Sequence, residues 1–513
     1  MKYSLPNIIL ELARSIQSAG GRALLVGGCV RDVLSDSVPK DFDIEVYGVE
    51  PEKLHEIAST FGEVIDAGKA FGILKLRVDP LQLPLVKGEG SRSDENSPSL
   101  SRRGLGGGLV IDLGIPRSDS KVDAGHKGFA VHVDPTMTPE NAARRRDFTV
   151  NAIMMDPLTE EVIDPFHGAV DLEQKILRVV DAKLFGDDPL RVLRAMQFVA
   201  RFDLTPDVES MDVMRRSVSS LRELSQERLR DEWRKLLVLA EKPSIGLQLG
   251  FDLGVFDAMF PELPPLKLTP QNPEWHPEGD VWIHTLMVVD EEAAIIRREN
   301  CDEETAFMMM LVALCHDFGK SIVTEEIDGK IRAIGHEPAG EAPARSFLAR
   351  IGVAHPMVEK IVGMVKHHMA PTVLYLDSQK PGLIITDGAI RRLAASISPA
   401  TISELLLLAE ADYFGRGQFV QSSSDVSNRK VGWRHGEARE FPERSWLLDR
   451  ASKLDVLTGP AQHAITGEEL VALGIEPGVK MGELIREADR LRDDEGKSNE
   501  EILEWINQEK RWM

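Results

Sequence analysis

The stretch Ala23–Gly48, ALLVGGCVRDVLSDSVPKDFDIEVYG, restricts what this chain can fold into more than any other. An apolar run, Ala23–Val26, stops at Gly27-Gly28. A short helical segment starting near Cys29 then precedes a second run, Asp41–Val46. The order reads as strand, turn, helix, loop, strand. Paired glycines let the backbone come close to a ligand and leave N–H groups facing an anion. Arg31 and the positive end of the helix lie beside them. Side chains alternate along a strand, so Asp41, Asp43 and Glu45 share one face while Phe42, Ile44 and Val46 share the other. Carboxylates crowded on one face repel unless a cation sits between them. A divalent ion on Asp41 and Asp43 beside an anion grip is the apparatus of phosphoryl or nucleotidyl transfer. Singly, a Gly-Gly turn is a turn and an Asp-x-Asp strand is a solvated edge. The spacing, nine residues from Asp32 to Asp41, makes the combination specific.

In the form G-G-x-V-R-D followed by D-x-D, this stretch resembles the tRNA nucleotidyltransferase (CCA-adding enzyme) and bacterial poly(A) polymerase family. The resemblance implies that Gly27, Gly28 and Arg31 bind a nucleoside triphosphate and that Asp41 and Asp43 hold Mg²⁺. Asp112, in the strand Leu109–Leu113, and Glu45 are both candidates for a third carboxylate, with Asp112 favoured. Ala142–Ala152, AARRRDFTVNA, matches the family element R-R-D-F-T-x-N-A. It implies ribose selection by Arg145, Arg146 and Asp147, because a missing hydroxyl leaves a desolvated carboxylate unpaired. Phe185–Arg194 opens a helix with Pro189 early and two acids ahead of it, and Arg191 and Arg194 share a helix face. By resemblance to the family's E-D-x-x-R element, Asp188 and Arg191 read the edges of C or A, and Arg194 supports the triphosphate or that pair. Two positions depart from the pattern. Asp187 stands for the usual Glu, and Gln197 stands at a commonly basic position, which bears on whether C-C-A is added in full or in part.

At 513 residues the chain predicts several domains. A net charge of −22 excludes a uniformly basic nucleic-acid coat, so RNA contact has to be local and salt-dependent. Three cysteines without a C-x-x-C pair fit a reducing, cytoplasmic setting. Met1–Gly20 lacks a signal peptide's apolar core, and no window nears ~18 uninterrupted apolar residues, so no membrane span is expected. The expected fold is α+β: a nucleotidyltransferase head with a small mixed sheet over 1–175, then all-helical parts. Residues 79–108 form an insertion, whose Gly- and Ser-rich run Gly88–Gly108, with Arg102 and Arg103, reads as a surface loop. Arg117 and Gly125–Phe129, with His126, resemble a flexible family element. A helical neck for base reading and RNA binding covers 176–262, with Arg215, Arg216, Arg222, Arg228, Arg230 and Arg234 along it. The Pro-rich run Pro261–Pro277 reads as a linker.

Seven of the thirteen histidines fall between positions 276 and 368. The order His284, His316-Asp317, His336, His367-His368, Asp412 on helical segments resembles the HD phosphohydrolase superfamily, placed here at 263–425. That resemblance implies an inner shell of His284, His316, Asp317 and Asp412, with His336, His367 and His368 completing a second ion and Lys320 steadying a phosphate. Imidazole with carboxylate suits Mn, Ni, Fe or Mg better than structural zinc. The polar stretch 415–445 reads as loop. A helical tail over 426–513 includes Ile465–Gly478, which resembles a helix-hairpin-helix element able to contact tRNA. The activity implied is addition of CMP and AMP from CTP and ATP to the 3′ end of tRNA, with hydrolysis at the second site. A poly(A) polymerase, a CC- or A-only enzyme, and a phosphodiesterase or phosphatase with a vestigial head are the competing readings.

Overall fold

The computed structural model describes residues 5–39, 41–66, 73–78, 109–121, 129–416 and 441–509. The 79–108 insertion, His126 with its neighbours, and most of 415–445 lie outside the described residues. The chain forms two compact units, 1–225 and 226–513, and the division falls inside the stretch 176–262.

The first unit is built on a seven-stranded mixed sheet. In chain order its members are β1 (Arg22–Val26), β2 (Phe42–Tyr47), β3 (Glu63–Asp66), β4 (Ile73–Val78) and β5 (Leu109–Gly114), followed after the hairpin β6 (Arg117–Lys121)–β7 (Phe129–Val133) by β8 (Met154–Met155) and β9 (Val162–Ile163). Their spatial order is β3-β4-β5-β2-β1-β8-β9. Only β2–β5 is parallel, and it sets Asp43 opposite Asp112. Phe42, Ile44 and Val46 are buried and Asp41 and Asp43 exposed, which is the alternation the sequence predicts. The core side of the sheet is covered by α1 (Asn7–Ser18), whose Ile8, Ile9, Leu12, Ala13 and Ile16 form its buried stripe. The helix α2 (Gly28–Leu34) is only seven residues long, α3 (Pro51–Ser59) follows β2, and α4 (Pro139–Arg144) and α5 (Gly168–Glu173) flank the Arg-Arg-Asp segment. The unit ends with α6 (Leu190–Phe202) and α7 (Val208–Ser217).

Among its described residues the second unit is helical apart from a hairpin at Glu325–Ile327 and Lys330–Arg332. It opens with α8 (Gln226–Leu239), α9 (Pro243–Leu253) and α10 (Val255–Met259). Trp233 of α8 packs edge-on against Phe260 and Phe347, so these helices share a core with residues far along the chain. Arg234 pairs with Glu303 and Glu304. The linker reading of Pro261–Pro277 is corrected. The run holds a 3-10 turn, Pro264–Leu268, and buries Leu263, Leu266 and Gln271 within this unit. Proline density there reflects a fixed path with few backbone donors, not freedom.

The long helices α11 (Val281–Arg298), α12 (Glu303–Cys315), α16 (His355–His367) and α19 (Ile402–Phe414) make the framework, with α13 (Lys320–Val323), α14 (His336–Ala339), α15 (Glu341–Arg350), α17 (Ala370–Ser378) and α18 (Asp387–Ile397) between them. Among the described residues one helical stretch, Glu303–Val323, is long and apolar enough to cross a membrane. Of its most apolar window, 83% is buried inside the fold, as in a core helix. After α20 (Pro442–Lys453), the helices α21 (Gly467–Ala472), α22 (Val479–Glu495) and α23 (Asn499–Glu509) close a small core of their own around Leu470, Leu484, Leu491 and Ile502.

Candidate functional site

In the first unit the two adjacent central strands β2 and β5 bring together three carboxylates, on Asp41, Asp43 and Asp112. Burial, then the neighbouring Asp112 and Asp41, push the pKa of Asp43 up, as expected of like charges held together. Asp112 Oδ1 is buried without a hydrogen-bond donor, and the Lys75 ammonium stands 3.4 Å away. Glu45, the other candidate for third carboxylate, is occupied: it accepts from Arg146 Nη2 at 2.9 Å and from the Tyr47 hydroxyl at 2.8 Å. Hard carboxylate oxygens that repel one another fit Mg²⁺.

The Gly27–Gly28 turn lies beside Asp43. Gly27 has φ +69°, and a Cβ there would stand 3.3 Å from Arg146 Nη1 and 3.6 Å from Asp43 Oδ2. The turn, the metal strand and the Arg-Arg-Asp segment therefore converge on one point, which the sequence showed only as three separate motifs. Arg31 is 6% exposed and lies beneath the turn. It donates to Asp32 and to Asn151 Oδ1, and its guanidinium is 3.8 Å from the Phe202 ring centroid. Asp147, also buried, accepts from Arg194 Nε at 2.6 Å, from Asn151 Nδ2 at 3.1 Å and from the Phe148 N–H at 2.9 Å. Burial opposes its ionisation, but the Arg194 charge and these bonds outweigh it and lower its pKa.

Arg191 donates to the carbonyls of Leu184 and Arg145, joining the start of α6 to the Arg-Arg-Asp segment. Asp188 Oδ1 accepts from the Leu190 N–H as α6 begins. Arg145 donates to the Arg117 carbonyl. Gln197 is buried and accepts from Arg201 Nη1 at 2.7 Å, so a cation follows one turn later. Asn151 was quoted in the motif without a role; its contacts on both sides appear only in three dimensions.

In the second unit four imidazoles and two carboxylates gather. His284 Nε2 lies 3.0 Å from Asp412 Oδ1, 3.4 Å from His316 Nε2 and 3.6 Å from Asp317 Oδ2. On the far side of Asp317, His336 Nε2 and His368 Nε2 stand 3.5 and 3.7 Å from Oδ1 and 3.2 Å from each other. His367 stands outside this group, half-buried on α16. The Nδ1 atoms of His316, His336 and His368 face the carbonyls of Ala313, Ala333 and Val365 at 2.7–2.8 Å. A carbonyl only accepts, so each Nδ1 carries a proton and each ring turns its Nε2 inward. Imidazole nitrogens converging on one another, with Asp317 Oδ1 buried and without a donor, fit one or two shared divalent cations. Burial draws the His368 pKa down to about 3, which keeps that ring neutral and available as a ligand.

Sequence reasoning missed Glu278, His276 and Arg416. Glu278 Oε1 lies 2.9 Å from both His276 Nδ1 and His284 Nδ1. Burial resists its ionisation, yet bonds from the two rings bring its pKa down to about 2. It thus orients His284 as a carboxylate behind a metal-binding histidine does. Its place beside the Pro-rich run hid it. Arg416 donates to Asp412 Oδ2 at 3.0 Å, and Lys320 Nζ lies 2.6 Å from Asp317 Oδ2 and 2.8 Å from Gln271 Oε1. The cluster opens into a cavity of about 510 Å³ whose wall includes Trp275, Lys320, Lys330, Arg332 and Arg416.

Comparison with known proteins gives the following likenesses. Residues 23–178 match the poly(A) polymerase head domain, and 202–266 match the probable RNA and SrmB-binding site of polymerase A. The multifunctional CCA protein of Stenotrophomonas maltophilia strain R551-3 is 32% identical over 444 residues, 85% of this chain and 95% of that one. The multifunctional CCA protein of Pasteurella multocida is 30% identical over 423 residues, 80% of this chain and 87% of that one. Among solved structures, the Bacillus stearothermophilus CCA-adding enzyme in complex with CTP aligns over 99% of both chains with a TM-score of 0.63 at 18% identity. The Thermotoga maritima enzyme complexed with tRNA aligns over 98% of this chain and 95% of that one, with a TM-score of 0.56 at 18% identity. These two likenesses speak to the fold, which is the mixed α+β head and helical body found here. With a third of its residues identical to such relatives across most of both lengths, the chain belongs to the family of multifunctional CCA proteins.

Proposed function

We propose that this protein is a template-independent RNA nucleotidyltransferase that adds CMP and AMP, from CTP and ATP, to the 3′ end of tRNA, and that its histidine-rich site hydrolyses a phosphoester. The observation that carries the first part is the convergence of Gly27, Asp43 and Arg146 beside Asp112, with Arg146 followed directly by the Asp147–Arg194 pair. The triphosphate lies against the Gly27–Gly28 turn, the ribose against Asp147, and the base against Asp188 and Arg191. Asp41, Asp43 and Asp112 would hold Mg²⁺, which would supply acidification of the attacking 3′-hydroxyl and charge neutralisation at the leaving pyrophosphate. The 3′-oxygen attacks the α-phosphorus as the bond to pyrophosphate breaks. Arg146 and the N–H groups of the turn meet the charge that develops there. Asp188 and Arg191 offer an acceptor and donors to the base, so no template strand is needed.

The test is product length. Transcripts of tRNA ending before C, CC and CCA are incubated with CTP and ATP, separately and together. Stepwise completion to CCA and no further supports the reading. A stop after CC or addition of A alone identifies a partial enzyme, and long A tails on unrelated RNA identify a poly(A) polymerase.

The second part rests on the Asp317 carboxylate, flanked by two pairs of inward-facing imidazoles in a cavity with cationic walls. The relatives' description as multifunctional supports pairing it with the first. A divalent cation bound there supplies an activated water and a polarised phosphoryl oxygen. Lys320 and Arg416 hold the carboxylates in place and present positive charge to the substrate. Hydrolysis of a 2′,3′-cyclic nucleotide that survives Asp41→Ala and disappears in Asp317→Ala supports this activity. Loss in both variants, or in neither, removes it.

A further inference from the structure

Asn151 ends a 3-10 turn, Thr149–Asn151, and is 5% exposed. Its Oδ1 accepts from Arg31 Nη1 at 2.9 Å and its Nδ2 donates to Asp147 Oδ1 at 3.1 Å. A guanidinium only donates and a carboxylate only accepts, so the amide has one possible orientation between them. Neither end of this bridge can drift. Arg31 is clamped by Asp32 and by the ring of Phe202. The turn itself is tied by the Thr149 hydroxyl, which donates to Asp171 Oδ2 at 2.7 Å, and by the Thr149 N–H, which donates to the Arg178 carbonyl at 2.9 Å. Phe148, just before it, is wedged edge-on between Phe185 and Phe198.

The count at Asp147 is informative. Oδ1 takes two donors, the Phe148 N–H and Asn151 Nδ2, which use both of its lone pairs. A further hydroxyl has to be accepted at Oδ2, on the side of Arg194. We propose that Asn151 is a positioning residue for sugar choice. By bridging Arg31 to Asp147 it fills Oδ1, pins the carboxylate, and leaves Oδ2 to meet the ribose hydroxyl. Preference for ribo- over deoxyribonucleotides then depends on Asn151 as well as on Asp147. Arg31 acts through the same bridge, beneath the phosphate turn, and couples the turn to the sugar pocket. The inference rests on the reading of Asp147 as the ribose acceptor.

The experiment uses the full-length protein, a tRNA transcript lacking its CCA end, and kcat/KM for CTP against dCTP. Asn151→Asp keeps the side chain's shape and its acceptor for Arg31, but it turns the donor facing Asp147 into a second acceptor. Asn151→Ser removes the bridge without adding charge. Asp147→Ala reports on the underlying reading, and thermal melting establishes that each variant is folded. The CTP/dCTP preference is expected to fall by about tenfold or more in both Asn151 variants, chiefly through a higher KM for CTP with dCTP little changed. A merely structural role would lower both substrates together. If Asp147→Ala loses the preference while the Asn151 variants keep it, or lose CTP and dCTP alike, the positioning role is wrong and the reading of Asp147 stands. If Asp147→Ala itself keeps the preference, both are wrong. Should Asn151→Asp fail to fold, Asn151→Ser decides the matter alone.

Discussion

Asp43 faces Asp112 across the parallel strand pair and has Asp41 two residues before it, so removing its carboxylate relieves repulsion while it deletes a ligand. Asp43→Ala should therefore cut nucleotide addition by about three orders of magnitude or more, with a melting temperature equal to or above that of the parent. Single-turnover incorporation and thermal melting on the same samples check both halves. Incorporation near the parental rate would show that Asp43 is not a ligand. In the second unit, Glu292 is fully buried, and neither of its oxygens has a hydrogen-bond partner. Burial, reinforced by Glu410, raises its pKa to about 8. The folded state thus holds this proton more tightly than the unfolded chain, where a Glu titrates near ~4.3. Its contribution is complete below that value and is lost as pH rises through about 8. Stability of the second unit should decline from about pH 4.3 up to about pH 8 and level off above it, and Glu292→Gln should flatten that decline. Denaturant midpoints for parent and variant across this range provide the measurement, and parallel curves would count against the assignment.

At the scale of elements, the tightest approach in the second unit is at Gly319, between the His316-Asp317 turn and α14. A Cβ there would fall 1.9 Å from the His336 carbonyl oxygen and 2.6 Å from the Gly340 nitrogen, both backbone atoms that cannot step aside. Gly319→Ala should destabilise the unit by ~2 kcal/mol or more and move His336 away from Asp317. Denaturant melts and bound metal per chain, counted after dialysis, report the two effects. Elements of this kind were legible in part. The alternation of Asp41–Val46 fixed both the strand and which face bears the carboxylates. The histidine order pointed to the helical segments that carry the second site. What depended on strand pairing could not be read, because register joins residues by hydrogen bonds that leave no local trace. Asp112 became the neighbour of Asp43 only through the β2–β5 ladder, and Glu45 left the candidate set only when Arg146, far along the chain, was found bonded to it. Glu278 was obscured for a different reason. Proline signals punctuation in sequence, whereas here the Pro-rich run lies against the histidine–carboxylate cluster, with Gln271 and Glu278 buried beside it.

For the whole molecule, the two candidate sites lie in separate compact units, 1–225 and 226–513. A ligand that binds only folded protein stabilises it by about 2.7 kcal/mol at one hundred times its dissociation constant. Mn²⁺ or Ni²⁺ should therefore raise the melting of the second unit, chelator should reverse the rise, and Asp317→Ala should abolish it. Calorimetric scans with and without metal make the comparison, and a shift that persists in Asp317→Ala would place the cation elsewhere. The net charge of −22 has a bearing on partners at this scale, since any tRNA surface has to be a local exception to it.

Three of the four inward-facing rings, on His316, His336 and His368, are aimed by a carbonyl three residues earlier in their own segment. Their orientation is therefore written into short pieces of chain before those pieces meet. A centre assembled from such pre-aimed donors has little left to rearrange when an ion arrives. Uptake should be a single second-order event, limited by passage through the cavity mouth, with no slow concentration-independent phase behind it.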